Sequence, residues 1–121
     1  MSKNQAVAVV VEDEWLLRLE VADALTEKGW KVIDLATGEQ AQSWLEQGGE
    51  PSLLVTDIRL PGLLMGWDVA EAFRRRFPEI TVVYCSANPP VEARQVPSSF
   101  FFSKPIRMET VIDACGAPLK E

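Results

Sequence analysis

Apolar residues along this chain fall into two alternating patterns. Residues 30–35 and 100–102 read as strands, and the short continuous runs at residues 6–11, 53–56 and 80–85 are apolar and rich in β-branched side chains. Such runs read as strands buried on both faces, as in parallel sheets. Between them, apolar positions recur at helical spacing. Leu17, Val21, Ala24 and Leu25 make the inward stripe of a helix over about 14–28, with Gly29 placed to stop it. Thr37-Gly38-Glu39-Gln40 has the form of a capping box and opens a helix that carries Ala41, Trp44 and Leu45. Val69, Ala70, Phe73 and Phe77 predict a third helix over 67–77, closed by Pro78, and Met108, Val111, Ile112 and Cys115 predict a last one over 108–115. The stretch between Ser86 and Phe100 breaks this rhythm. Pro89, Pro90 and Pro97 leave room there for one or two helical turns at most.

Strands that alternate with helices predict a three-layered α/β fold, a parallel sheet covered on both faces by right-handed crossovers. The pattern does not fix the strand order; 2-1-3-4-5 is one of two common solutions. In any such sheet the strands exit on one edge, where ligand sites of open α/β folds lie. The exits here carry Glu12 and Asp13, then Asp57, Ser86 and Lys104. Taken alone, Asp57 before Pro61-Gly62 reads most simply as a turn former. Collected on one edge, three carboxylates need a cation or a raised pKa, because two like charges about 4 Å apart repel by roughly 4 kcal/mol at an effective dielectric near 20. Hard oxygen donors suit Mg²⁺, while Lys104 and the Ser86 hydroxyl suit phosphoryl oxygens. The set predicts stabilisation of a phosphoryl group at Asp57.

Composition narrows the chemistry further. The chain has 121 residues, enough for one domain, here residues 1–121. A net charge of -6 argues against a nucleic-acid surface, and Arg74-Arg75-Arg76 reads as a solvated helix face. Histidine is absent, which removes imidazole catalysis and histidine metal sites. Cys85 and Cys115 lack metal-site spacing and are expected to be reduced core residues, which with the lack of a membrane-spanning run predicts a cytoplasmic protein.

The motifs Val-Val-Glu12-Asp13-Glu, Thr-Asp57-Ile-Arg-Leu-Pro61-Gly, Ser86-Ala87 and Lys104-Pro105, in this order, resemble a receiver domain of a two-component response regulator, from about Val7 to Cys115. The resemblance implies a flavodoxin-like (βα)5 fold in the order 2-1-3-4-5. It implies that Asp57 accepts phosphate from a sensor histidine kinase or phosphotransfer protein. Glu12, Asp13, Asp57 and the backbone carbonyl of Arg59 are then the Mg²⁺ ligands. Ser86 and Lys104 contact the phosphoryl group, Phe101 is the aromatic switch coupled to Ser86, and a cis peptide joins Lys104 to Pro105. The output is a changed surface for a downstream protein partner, without direct binding of nucleic acid or membrane.

Departures from the family pattern are local. The proline-rich stretch predicts a fourth helix that is short, displaced or missing. Gly62-Leu63-Leu64-Met65-Gly66 makes an unusually apolar loop beside the site. Both features resemble stand-alone receivers that serve kinases of the HWE or a related type. The rival reading is a receiver-like interaction module that does not cycle phosphate. An aspartyl phosphatase of the haloacid-dehalogenase type is disfavoured, because Arg59 stands where its second acid belongs. The expectation is a phosphoacceptor, not an enzyme with turnover.

Overall fold

A computed structural model describes residues 5–91 and 93–118. The outermost parts of the expected 1–121 domain, residues 1–4 and 119–121, lie outside the described residues. Five strands, β1 (Val7–Val11), β2 (Lys31–Leu35), β3 (Leu53–Asp57), β4 (Thr81–Ser86) and β5 (Phe100–Ser103), form one parallel sheet in the order β2-β1-β3-β4-β5. Among the described residues three helices connect strands, α1 (Trp15–Glu27), α2 (Gly38–Glu46) and α3 (Gly66–Arg76), and a fourth, α4 (Met108–Cys115), follows β5. This is the flavodoxin-like arrangement.

Side chains alternate across each strand, so the central strands feed two cores. Val9, Val11, Leu54, Val82 and Tyr84 face α2 and α3, packing with Ala41, Leu45, Trp67, Val69 and Phe73. Ala8, Val10, Leu53, Val55, Val83 and Cys85 face α1 and α4, packing with Val21, Leu25, Val111 and Ile112. β3 is buried at every position, which is why its sequence is a continuous apolar run. The capping box at α2 is formed: Gln40 N donates to Thr37 Oγ1 at 3.0 Å, and Gln40 Oε1 accepts from Thr37 N at 3.2 Å. Trp67 is buried and Trp44 stacks on Phe73, both as packing residues, whereas Trp15 stands on the surface.

The helix count departs from (βα)5. Instead of a short or displaced helix between β4 and β5, the described residues form a single turn, in which the amides of Arg94 and Gln95 both donate to Val91 O at 3.0 and 3.1 Å. Prolines on either side lack the amide donors that propagation needs, and Ser98 takes a left-handed φ of 57°. The segment is held by side chains instead. Arg94 bonds Asp68 and Glu71 of α3 at 3.2 Å each, Arg74 Nη1 donates to Pro97 O at 2.5 Å, and Val96 N donates to Tyr84 Oη at 3.1 Å.

Candidate functional site

The pairing of β1 with β3 sets Val11 opposite Thr56, so the next residues on the two strands, Glu12 and Asp57, emerge side by side. One carboxylate oxygen each from Glu12, Asp13 and Asp57 lie within 4.8 Å of one another. Glu12 and Asp57 are only 4% and 7% exposed, while Asp13 opens to solvent. Lys104 reaches into this cluster from the end of β5. Its Nζ lies 3.0 and 3.2 Å from the two Glu12 oxygens and 2.9 Å from Asp57 Oδ2, with Glu14 Oε1 at 3.9 Å.

Burial pushes the Glu12 carboxyl above its ordinary range; the Lys104 hydrogen bond only partly offsets this, and the neighbouring Asp57 charge adds to it. Burial pulls the Lys104 ammonium down, but its hydrogen bonds to Asp57 and Glu12 outweigh that and hold it above its usual value. The lysine therefore stays charged, and three carboxylates still face one cation. Oxygen donors, partial burial and an excess of negative charge fit a small divalent cation. The cluster could bind a metal.

Backbone contacts fix the acids. Asp57 Oδ1 accepts from Ile58 N at 2.6 Å, which leaves Oδ2 to Lys104. Arg18 of α1 donates through Nη1 to Glu12 O at 2.7 Å and pairs through Nε with Asp34 at 3.3 Å, tying the β1 exit to β2. Gly66 N donates to Ile58 O at 2.8 Å, and a Cβ at Gly66 would lie 1.9 Å from Asp57 O. The start of α3 is packed directly on the backbone of the central acid.

Ser86 ends β4 fully buried, one residue beyond the Cys85 that pairs with Asp57. Its Oγ accepts from Asn88 N at 3.0 Å and its carbonyl from Lys104 N at 2.8 Å. The Lys104–Pro105 peptide is cis. The half-buried Phe101 ring lies 6.2 Å from Tyr84, which in turn lies 4.9 Å from Trp67. Arg59 is exposed in the loop two residues past Asp57. Cys85 lies beside the acids, but burial pushes its thiol up to about 12, and that of Cys115 likewise to about 12. Neither offers a thiolate at neutral pH.

The structure thus gathers Glu12, Asp13, Asp57 and Lys104 into one cluster, with Ser86 joined to it through the Lys104 backbone. Phe101 sits farther out, among aromatic side chains. Sequence reasoning missed Arg18, Tyr84 and Glu39. Their contacts join residues far apart in the chain or reach backbone atoms, and no local motif announces them.

A five-stranded sheet in this order, with acids and a lysine at its strand exits, defines a signalling receiver of the flavodoxin-like class. The chain belongs to the response regulator receiver domain family, whose profile matches residues 8–115. Membership supports a phosphoacceptor role in two-component signalling. The transcriptional regulatory protein PdtaR of Mycobacterium tuberculosis is 28% identical over 109 residues, which are 88% of this chain and 53% of that protein. The sensor kinase CckA of Brucella abortus is 30% identical over 84 residues, 69% of this chain and 9% of the kinase. The chain therefore spans about half or less of these relatives. Among solved structures, a response regulator receiver protein from Sinorhizobium medicae superposes with a TM-score of 0.88 at 30% identity, covering 94% of each chain. The receiver domain of the hybrid histidine kinase CckA superposes at 0.73 with 26% identity, covering 89% of this chain and 94% of that one. Among the described residues no helix is long and apolar enough to cross a membrane.

Proposed function

We propose that Asp57 accepts a phosphoryl group from the phosphohistidine of a sensor histidine kinase or phosphotransfer protein, within a single receiver domain that acts in the cytoplasm. The observation that carries this reading is the Asp57 carboxylate set 2.9 Å from the Lys104 ammonium inside a three-acid cluster. In the transfer, an Asp57 oxygen bonds to phosphorus as the P–N bond to the partner's imidazole breaks. A carboxylate nucleophile needs no general base, in keeping with a chain that contains no histidine. Lys104 holds one phosphoryl oxygen by charge, and the Ser86 hydroxyl takes another when it turns from Asn88 N.

Glu12, Asp13, Asp57 and the Arg59 carbonyl are the groups we assign to Mg²⁺. When bound, the ion supplies neutralisation of the phosphoryl charge. Phosphorylation and hydrolysis at Asp57 are self-catalysed, so the chain is a phosphoacceptor without turnover on an external substrate. A groove of about 950 Å³ beside Lys104 supports a protein donor: Leu16, Leu17, Ile106 and Met108 give it an apolar lining, and Glu14 and Glu20 rim it with charge. The output is a changed surface around Ser86 and Phe101 that a downstream protein reads.

Incubated with Mg²⁺ and acetyl phosphate, the protein is expected to gain one acid-labile phosphate, and Asp57→Ala to gain none. No uptake by wild type from small donors or a cognate kinase would favour an interaction module that does not cycle phosphate.

A further inference from the structure

The loop after β3 is anchored from a helix that contributes nothing to the acid cluster. Glu39, in the first turn of α2, directs one carboxylate oxygen at two successive loop amides, Leu63 N at 2.8 Å and Leu64 N at 3.1 Å. Gly62 has a φ of +93°, and a Cβ there would lie 2.6 and 2.8 Å from the two Glu39 oxygens. The loop backbone therefore closes onto the carboxylate with no side chain between.

Apolar burial does not order the tip of this loop, because Leu63 is 91% exposed. The polar clasp does. The amide of Leu63 does most to draw the Glu39 carboxyl below its usual range, as expected for an anion that receives backbone donors. The base of the clasp is itself rigid, since Thr37 and Gln40 cap α2 reciprocally. At the far end of the loop, Gly66 N holds Ile58 O at 2.8 Å. Arg59 lies in the span closed by these two ties.

We infer that Glu39 is a positioning residue for the cation site, holding the loop so that the Arg59 carbonyl is presented to the ion bound by Glu12, Asp13 and Asp57. This rests on the proposed reading of the acid cluster, together with the Arg59 carbonyl, as a Mg²⁺ site. Residues that orient metal ligands typically contribute about 10–100-fold in metal affinity.

The test is calorimetric titration of Mg²⁺ into the wild-type chain, Glu39→Ala and Glu39→Gln, with amide hydrogen exchange followed at Leu63 and Leu64. Glu39→Ala is expected to weaken Mg²⁺ binding by about tenfold and to speed exchange at both amides. Glu39→Gln keeps an acceptor oxygen and is expected to stay within about twofold of wild type, because the amide carbonyl can still take both donors. Unchanged affinity in Glu39→Ala overturns the inference. Equal weakening in both variants also overturns it, since the effect would then be the loss of a negative charge and not of the clasp. Absence of Mg²⁺ binding by wild type overturns the metal reading together with this one.

Discussion

The two segments that leave the phosphoacceptor edge, residues 58–65 after β3 and residues 87–99 after β4, are held in opposite ways. The first is tied at the site itself by short backbone contacts: Ile58 N on Asp57 Oδ1, Gly66 N on Ile58 O, and two amides on Glu39. The second meets the site through Asn88 N on Ser86 Oγ and is otherwise pinned at a distance, by Arg94 on α3 and by Tyr84 beneath Val96. A hydroxyl that rotates releases one amide and leaves those distant anchors in place. The difference assigns the two sides different tasks. Under the proposed function, the β3 side would keep ligand geometry fixed and the β4 side would carry the response away from Ser86.

This contrast can be broken most severely at Gly66. Gly66→Ala forces a Cβ into Asp57 O and is expected to cost about 3 kcal/mol or more in urea unfolding; a cost under about 1 kcal/mol would mean that the β3 side adapts as readily as the other. Tyr84→Phe leaves the Val96 amide without its acceptor in a buried place. It is expected to cost about 1–2 kcal/mol and to speed hydrogen exchange at Val96, while Leu63 and Leu64 exchange as before. Arg94→Ala removes ion pairs that are open to solvent and is expected to cost under about 1 kcal/mol globally. Its effect should instead appear as faster proteolysis within residues 87–99, and cleavage appearing equally in 58–65 would erase the distinction.

Much of this architecture is legible in the sequence because one physical signal dominates each part. The continuous apolar run of β3 reflects burial at every position, and the capping box at Thr37 forms as its spacing requires. The loss of a helix after β4 follows from prolines that lack donors. The strand exits can be collected from sequence because parallel strands share an edge, and Glu12, Asp13, Asp57 and Lys104 do lie together there. What escaped was contact across the chain. Glu39 reads locally as part of a cap, yet it reaches amides 24 and 25 residues away. Tyr84 reads as a strand residue, although its hydroxyl serves a segment whose path no periodicity predicts. The loop around Leu63 reads in sequence only as unusually apolar, and the Glu39 carboxylate that binds its amides is not announced by that composition.

Under the proposed function, the acid at the end of β3, and no other, forms the phosphate bond. Borohydride reduction of the protein phosphorylated in Mg²⁺, followed by peptide mass mapping, tests it most directly, because reduction converts an aspartyl phosphate to homoserine. Homoserine is expected at position 57, and is expected to be lost when Mg²⁺ is removed. Conversion at Asp13 or another acid, or none at all under conditions where the protein takes up phosphate, would contradict it.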